Sequence, residues 1–356
     1  MTKANSVSRR SLLAALPAAA ATVRLPRKTG VALINLDGHT GEVTRPLPEL
    51  PDVEMVGLFD PEPKKIAQLQ RNPRLAGAKT YTADWRKMVD ETKPDVVGVC
   101  NANSLHAGVI VECLGLGIHV ISEKPIATEP ADLERVRKAV ESSPARFTAM
   151  FPMRFLGPYQ ALRNIVRSGE IGEVIQMDGQ KSYRVSERPP WFYRRATYGG
   201  TMAWIGIHML DLMIYTTGRG FVETCGFQNH VGFPDTGDTE NISATTFKLD
   251  NGGVALLRLD YLRPKNATSH GDDRLRLAGT KGIAEYMEAT GATVVSDSRK
   301  PRRLASLPRE RSLFSEFLDH IYNGKPAPIP WRETLHGHRA ALAAREAMET
   351  GKPRKI

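Results

Sequence analysis

Lys124 is the residue whose type and position most clearly suggest chemistry. It lies in the run Glu123-Lys124-Pro125, directly after the apolar segment 119–122. A lysine just past the carboxyl end of a buried parallel strand sits at the edge where open α/β sheets bind ligands. Pro125 has no N–H to donate to a sheet, so it ends the strand. The same tripeptide is also a common strand-to-helix turn, and its setting must decide between the two interpretations.

A second group of chemically able side chains lies on a helix predicted over residues 201–215. Trp204, His208 and Asp211 recur there at i, i+4 and i+7, so they share one face. Histidine titrates near neutral pH, and a carboxylate three residues away could orient it for proton transfer. A histidine on an apolar helix is otherwise a packed core residue, and the sequence leaves both interpretations open.

The turn NLDGHTG after the first predicted strand bears on nucleotide binding. It keeps only Gly38 and Gly41 of the glycine pattern that lets backbone amides approach a pyrophosphate. Asn35 tolerates a positive φ where glycine usually stands, but a carboxylate at Asp37 would repel a pyrophosphate. Asp60 ends the second strand, where it could bind a ribose 2′-hydroxyl and favour NAD over NADP. A simple Asp-Pro turn is the alternative explanation for Asp60.

Short apolar runs alternate with helical periodicity between residues 30 and 150. Continuous apolar strands separated by helices indicate a parallel sheet covered on both faces, which is the doubly wound Rossmann architecture of the α/β class. Ser104 is the expected N-cap of the third helix. The predicted strands are 31–34, 53–59, 95–100 and 118–122, and the predicted helices are 63–70, 84–91, 104–116 and 130–140.

The pattern changes after residue 150 to that of an α+β domain with an antiparallel sheet. We therefore divide the chain into 1–29, 30–150 for the nucleotide-binding domain, 151–331 for the α+β domain, and 332–356 for a C-terminal helix that packs back. The predicted elements of the α+β half are helices over 157–167 and 332–348 and strands over 173–183, 225–231, 241–249, 254–261 and 274–278.

The first thirty residues differ from the rest of the chain. The run SRRSLL at residues 8–13, followed by the Ala/Leu-rich stretch 14–21, is typical of a bacterial twin-arginine (Tat) export signal. A disordered basic extension is the alternative explanation. The signal predicts a periplasmic or exported protein, and its absence would predict a cytoplasmic one.

The composition excludes several classes of protein. The chain has 356 residues, of which 41% are hydrophobic and 25% charged, which is ordinary globular composition and enough for two domains. No uncharged apolar run is long enough for a membrane span. The net charge of +10 is not arranged as a basic stripe with aromatics, so no nucleic-acid partner is expected. Three scattered cysteines without a C-x-x-C pair predict no metal site.

Five stretches together resemble the glucose–fructose oxidoreductase/inositol dehydrogenase (Gfo/Idh/MocA) family. The resemblance covers essentially the whole chain after the N-terminal signal. It implies an N-terminal Rossmann domain that binds NAD(P), and a C-terminal sheet that forms homo-oligomers and faces a sugar or polyol. The stretches are NANSLH at 101–106, HVISEKP at 119–125, SGEIGEV at 168–174, GG at 199–200 with GIHMLD at 206–211, and LAARE at 342–346.

The resemblance also implies roles for single residues. Lys124 would bind the reacting hydroxyl, and His208, with Asp211 beside it, would take the proton as hydride leaves for NAD. Family dehydrogenases usually carry an aspartate four residues before that histidine, whereas this chain has Trp204. Together with Asn35 and Asp37, this departure leaves altered or lost redox activity open. The expected cofactor contacts are Gly38, Gly41, Asp60, Asn101, Asn103, His106, Glu123 and Pro125.

The loop 184–198 is expected to line the substrate pocket. Aromatic rings suit sugar faces, and arginines bind carboxylates in bidentate fashion, so the loop favours a substrate with an acid group. The expected substrate contacts are Arg184, Trp191, Tyr193 and Trp204.

The leading functional prediction is an exported NAD-dependent oxidoreductase that acts on a hydroxyl of a sugar, a polyol or an acidic sugar derivative. Two alternatives stay open: a glycoside hydrolase or lyase that uses bound NAD transiently, and a cofactor-free carbohydrate-binding protein. A metal-dependent hydrolase built on His208, Asp211 and His270 is unsupported by their spacing.

Overall fold

The computed structural model describes residues 23–356, in which two sheets are joined and covered by helices. The predicted export signal at residues 8–21 lies outside the described residues. No helix between residues 23 and 356 is both long and apolar enough to cross a membrane. The strands are β1 Thr29–Ile34, β2 Val53–Phe59, β3 Lys79–Tyr81, β4 Val96–Val99, β5 His119–Ser122, β6 Phe147–Ala149, β7 Val174–Tyr183, β8 Phe221–Asn229, β9 Ile242–Leu249, β10 Val254–Asp260, β11 Gly271–Gly279, β12 Gly282–Met287, β13 Gly291–Ser296, β14 Arg299–Arg303 and β15 Arg354–Lys355. The helices are α1 Gly41–Thr44, α2 Pro63–Leu69, α3 Trp85–Thr92, α4 His106–Gly115, α5 Pro130–Ser142, α6 Gly157–Arg167, α7 Arg195–Tyr198, α8 Ile207–Thr217, α9 Leu313–Tyr322 and α10 Trp331–Thr350.

The first six strands form one parallel sheet in the order β3-β2-β1-β4-β5-β6. The strand order reverses beside β1, so the carboxyl ends of β1 and β4 border the switch point at which doubly wound folds bind ligands. Strand β4 is buried along its whole length, as a strand with helices on both faces must be. The predicted Rossmann architecture is confirmed.

The other nine strands form a second sheet in the order β14-β13-β12-β11-β7-β10-β9-β8-β15. Its ladders are antiparallel except one, because β7 and β10 run parallel with Val254 opposite Gln176. Helices α7 and α8 carry the chain away after β7, and the chain returns through β8 and β9 before β10 pairs with β7. The predicted α+β half is confirmed, and its sheet is mixed rather than purely antiparallel.

One face of the second sheet is covered by helices, and the other is open. Along β9, buried and exposed residues alternate, so the inner face packs against the helices. Helix α10 packs on β8, α8 and α5, and it therefore contacts both halves of the molecule. Its His338 accepts a hydrogen bond from the backbone N–H of Ile126 at 3.0 Å, just after the Glu-Lys-Pro run.

Two predicted helices differ from the structure near the site. Ser104 is not an N-cap, because residues Asn103–Leu105 form a 3₁₀ turn and α4 begins at His106 without a side-chain cap. The helix predicted over 201–215 begins as a π-helical turn, Met202–Gly206, before it continues as α8. Such turns widen the helix and are frequent at functional sites.

Candidate active site

Lys124 lies directly after β5 and is almost completely buried, with 1% of its surface exposed. Its Nζ donates a hydrogen bond to the backbone carbonyl of Trp204 at 2.9 Å, and it lies 3.4 Å from the centre of the Trp204 ring. Burial is the main cause that lowers the pKa of Lys124 to about 7. The charge of Glu123 opposes this shift without cancelling it, and the charges of Lys181 and Arg188 lower the pKa further. An amine with this pKa can either hold or accept a proton at neutral pH.

The π-helical turn explains how Trp204 reaches the lysine with both its ring and its carbonyl. In a regular α-helix the Trp204 carbonyl would accept from the amide of His208, four residues on. The stretch Met202–Gly206 is π-helical, and within it the Trp204 carbonyl accepts from Lys124 Nζ. The turn therefore gives a buried amine a neutral acceptor rather than a carboxylate.

His208 is buried in the same region, with 6% of its surface exposed. Its Nδ1 has no hydrogen-bond partner within residues 23–356. The ring lies edge-on to Phe151 at 6.0 Å and to His39 at 6.3 Å between ring centres. Burial lowers the pKa of His208 well below its ordinary value, and the charges of Lys124 and other cations lower it further. His208 is therefore neutral at pH 7.

The predicted pairing of His208 with Asp211 is wrong. Both carboxylate oxygens of Asp211 accept from the Arg154 guanidinium, at 2.8 and 2.6 Å. Arg154 also donates to Glu333 of α10 at 2.5 Å, so Asp211 belongs to a buried ion-pair network that ties α8 to α10. Asp211 supports the helix that carries His208, and it does not contact the histidine Nδ1.

Glu123 contributes a buried carboxylate beside the lysine, and His39 is a partner that the sequence analysis missed. Glu123 Oε1 lies 2.5 Å from His39 Nδ1, and Oε2 accepts from the backbone N–H of Lys124 at 3.0 Å. Burial alone would raise the pKa of Glu123, but His39 and Lys124 outweigh it and bring it to about 2. Glu123 is therefore ionised. No sequence signal pointed to His39, because only the backbone of its turn was expected to matter.

The glycine-poor turn keeps the backbone geometry that the sequence predicted. Asn35 and Gly38 have φ values of 59° and 73°, in the left-handed region. A Cβ at Gly38 would lie 2.9 Å from Glu123 Oε1, so glycine is needed there. The carboxylate of Asp37 is paired, since it accepts from Lys65 Nζ at 2.8 Å and from Trp191 Nε1 at 3.1 Å. The expected repulsion from Asp37 is thus offset by Lys65.

Asp60 is buried where β2 ends, with 1% of its surface exposed. Its two carboxylate oxygens accept from the backbone N–H groups of Leu36 and Glu62, at 2.9 and 2.8 Å. The residue therefore joins the glycine-poor turn to the end of β2.

Three further residues that were expected to contact the cofactor lie at the end of β4. His106 is fully buried, and its ring nitrogens lie 2.6 Å from the Pro125 carbonyl and 2.8 Å from the Asn101 carbonyl. Asn103 is fully buried and donates to the Tyr198 carbonyl at 2.7 Å. Both ring nitrogens of His106 are used within the protein, so this residue holds loops together and is not free for a ligand, contrary to the prediction. Asn101 and Asn103 each keep a buried side-chain oxygen without a partner, which a ligand could use.

The predicted substrate residues divide into two groups. Trp191 lies 5.6 Å from Trp204 between ring centres, and the Trp204 ring lies against Lys124. Tyr193 packs on Phe192 at 5.3 Å, and Arg184 donates to the Lys265 carbonyl at 3.0 Å. Within the described chain, no contact joins Arg184 or Tyr193 to Lys124. These two residues of the predicted pocket are therefore set apart from its centre.

Lys181 of β7 is a second buried lysine that the sequence analysis did not select. It is fully buried, and its Nζ donates to Asp273 Oδ2 at 2.8 Å and lies 3.5 Å from the sulfur of Met153. Burial would lower the pKa of Lys181, but Tyr183 and Asp273 raise it above its ordinary value. The site therefore holds one paired lysine and one lysine without a hydrogen-bonded carboxylate.

Two family models match most of the described chain. Residues 30–151 match an oxidoreductase family with an NAD-binding Rossmann fold, and residues 159–285 match the Gfo/Idh/MocA C-terminal domain. The chain belongs to the Gfo/Idh/MocA family. The resemblance drawn from the five sequence stretches is confirmed, and with it an oxidoreductase whose cofactor is NAD.

Other Gfo/Idh/MocA proteins are similar to this chain along almost its whole length. D-glucoside 3-dehydrogenase of Escherichia coli K12 is 26% identical over 323 residues, which are 84% of this chain and 89% of that protein. Inositol 2-dehydrogenase of Salmonella typhimurium LT2 is 29% identical over 343 residues, or 91% and 95% of the two chains. The structure of an oxidoreductase from Thermotoga maritima matches with a TM-score of 0.86 at 29% identity, and covers 92% of this chain and 100% of its own.

The carboxyl edge of the parallel sheet fits NAD. The turn that contains Asn35 and Gly38 would hold the pyrophosphate of NAD. Asp60 supports that turn through its hydrogen bonds to backbone N–H groups, and its contact with the ribose of NAD stays a prediction. Asn101, with its unpartnered buried oxygen, and Glu123 would hold its nicotinamide end. Within residues 23–356, no three His, Cys, Asp or Glu side chains converge as metal ligands.

Proposed function

We propose that this protein oxidises a hydroxyl group of a sugar or polyol, with Lys124 and His208 binding that hydroxyl. The observation that carries the proposal is Lys124, a buried amine with a pKa of about 7 at the carboxyl edge of an NAD-binding Rossmann sheet. NAD, when bound, supplies the acceptor for the hydride of the carbinol carbon. The dehydrogenases of glucosides and inositol among the relatives support a substrate of this class.

We assign the proton of the reacting hydroxyl to Lys124, whereas the sequence predicted His208 as its acceptor. A general base works best when its pKa lies near the working pH, and that condition is met by Lys124. The pKa of His208 lies well below its ordinary value, so its neutral ring accepts a proton poorly. In this assignment the hydroxyl O–H bond breaks, the proton moves to Lys124 Nζ, and the carbon–oxygen double bond forms as hydride leaves.

The experiment that tests this proposal follows NADH absorbance with the full chain, NAD, and a panel of D-glucose, methyl glucosides and myo-inositol. We expect activity with at least one of them, and an acid limb in kcat/KM near pH 7 from Lys124. Lys124→Met should lower kcat by roughly 10²–10⁴-fold, while His208→Gln should keep the acid limb. If His208→Gln removes that limb, the proton assignment is wrong.

The same panel separates the proposal from the two other functions that the sequence left open. Release of the methyl aglycone without net NADH would indicate a glycoside hydrolase or lyase. Sugar binding without turnover, unchanged in Lys124→Met, would indicate a carbohydrate-binding protein. Either outcome contradicts the dehydrogenase proposal.

We further propose a homo-oligomer formed through the open face of the second sheet. Phe227 on β8 is 82% exposed and Val254 on β10 is 49% exposed, and both lie on this face. A second copy of the chain would cover these side chains, since large exposed apolar groups on an open sheet mark contact surfaces.

Export by the Tat pathway to the periplasm is the localisation that we propose. The support is the run SRRSLL at residues 8–13 with the Ala-rich stretch that follows it. Tat exports folded proteins, which is compatible with a domain that binds NAD.

A further inference from the structure

Two cations other than Lys124, Lys181 and Arg188, bear on the candidate active site, and they differ in their partners. Lys181 is neutralised by Asp273, whose Oδ2 lies 2.8 Å from the Lys181 Nζ. Arg188, on the loop between β7 and α7, forms no ion pair with any carboxylate in residues 23–356. Its charge is therefore the uncompensated one.

The hydrogen bonds of Arg188 leave one edge of the guanidinium unused. Nε donates to the Val185 carbonyl at 2.6 Å, and Nη2 lies 3.4 Å from both the Arg184 carbonyl and His270 Nε2. Nη1 has no hydrogen bond to any described residue. The group is partly buried and its central carbon lies 5.3 Å from the centre of the Phe192 ring, so its orientation is fixed.

The loop that carries Arg188 also carries Trp191, which connects it to the reacting lysine. The Trp191 ring lies 5.6 Å from the Trp204 ring between centres, and Lys124 lies on the face of Trp204. Arg188 is also among the cations that lower the pKa of Lys124. A sugar bound beside the half-buried Trp191 could therefore reach both groups.

We propose that Arg188 binds a carboxylate of the substrate through its free Nη1, and that the preferred substrate is therefore a sugar acid. The proposal rests on the dehydrogenase function proposed above and names its substrate class. A partly desolvated guanidinium is poorly compensated until it meets an anion, and its planar N–H groups match the geometry of a carboxylate. The ring hydroxyl at the other end of the substrate would then lie at Lys124.

Arg184, which the sequence analysis selected for this task, is the natural control. It lies on the same loop and donates to the Lys265 carbonyl, but its charge is not among those that lower the pKa of Lys124. Lys181 is excluded as the anion ligand, because Asp273 already neutralises it. The comparison of Arg188 with Arg184 therefore isolates position, since both are arginines of one loop.

The test measures binding by titration calorimetry on the full chain loaded with NAD, with D-glucuronate against D-glucose and D-galacturonate against D-galactose. We expect at least one acid to bind ten-fold or more tightly than its neutral partner, roughly the effect of one charge-assisted hydrogen bond. That preference should vanish in Arg188→Met, return in part in Arg188→Lys, and persist in Arg184→Met. Circular dichroism checks that each variant is folded.

Two results would overturn the proposal: acids that bind no tighter than neutral sugars, or a preference that survives in folded Arg188→Met. If Arg188→Met does not fold, the preference for acids is compared between Arg188→Lys and the parent. A reduced preference in Arg188→Lys supports the proposal, and an unchanged preference contradicts it, because a purely structural role of Arg188 would leave the preference intact. Glucose 6-phosphate serves as a further probe, and tighter binding of it than of glucuronate would contradict a carboxylate site.

NADH production is measured in parallel. Acid binding without NADH would refute the dehydrogenase function alone, whereas NADH from neutral sugars only would refute the role of Arg188 alone.

Discussion

Replacing Lys124 by methionine tests the central electrostatic claim about the site. The ordinary pKa of lysine is 10.5, and burial lowers that of Lys124 to about 7. Between these values the unfolded chain holds a proton that the native chain has released. The free energy of unfolding must therefore rise with pH in this window, because the unfolded state binds more protons. Below pH 7, Lys124 is protonated in both the native and the unfolded state, and the free energy of unfolding is lowered by the full cost of burying its charge.

The magnitude follows from the size of the shift. The difference between 10.5 and about 7 is 3.5 pH units, which at about 1.4 kcal/mol per unit gives roughly 5 kcal/mol below pH 7. Methionine has a similar length and no charge, so Lys124→Met removes this term. It also leaves the Trp204 carbonyl without its donor, which costs about 1–3 kcal/mol at every pH. The slope of the stability difference with pH, and not its value at one pH, is therefore the diagnostic quantity.

The assay is urea unfolding of the parent and the variant at several values between about pH 7 and 9.5, followed by tryptophan fluorescence. The stability advantage of Lys124→Met should shrink by about 1.4 kcal/mol for each pH unit. Lys181→Met is the matched control, because Lys181 is equally buried but paired with Asp273. The pKa of Lys181 is raised, so its contribution to the free energy of unfolding is fully present below pH 10.5. The stability difference between Lys181→Met and the parent should therefore not change with pH. Lys181→Met should also destabilise by about 3–5 kcal/mol, since it leaves Asp273 unpaired.

A difference between parent and Lys124→Met that does not change with pH would refute the reasoning. It would mean that Lys124 keeps its proton through this range in the native state. The assignment of Lys124 as the proton acceptor would then fail, because a permanently protonated lysine could only donate hydrogen bonds.

Three further predictions concern the surroundings of the site, the assembly and the localisation. His338→Ala should lower the free energy of unfolding by about 1–3 kcal/mol, because the buried amide of Ile126 loses its acceptor. The parent should also lose stability between pH 6.5 and 4, since burial lowers the pKa of His338 to about 4; this loss should be smaller in His338→Ala when both are unfolded in urea. Phe227→Glu should shift the chain toward monomer in analytical ultracentrifugation, and an unchanged mass would remove the open sheet face as the interface. Lysines in place of Arg9 and Arg10 should keep the protein in the cytoplasmic fraction, and unchanged export would exclude the Tat signal.

The parallel sheet was predictable because its central strands are continuous apolar runs. Strand β2 was predicted with its observed bounds, and β4 and β5 to within two residues. The three-residue strands β3 and β6 were missed, since so short a segment carries no period. The strands β12, β13 and β14 were missed because they are mostly half-buried or exposed, so their apolar pattern is weak.

The backbone positions of the site were predictable, but its side-chain partners were not. Strand ends and the double glycine placed Lys124 and the helix of His208, whereas the pairing of His39 with Glu123 joins residues 84 positions apart. The pairing of Asp211 with Arg154 spans 57 positions. Such contacts depend on side-chain directions within each folded domain, which spacing along the chain does not encode.

Trp204, in place of an aspartate, affects the protonation of Lys124. An aspartate at this position, as in the family pattern, would place a carboxylate beside Lys124 and favour its charged form. Trp204 offers a ring and a neutral carbonyl instead, so burial sets the pKa and Arg188 lowers it further. A substrate carboxylate bound to Arg188 would neutralise that cation and raise the pKa of Lys124 in the complex. The acid limb of kcat should therefore lie at higher pH with a sugar acid than with a neutral sugar, and the two limbs should coincide in Arg188→Met.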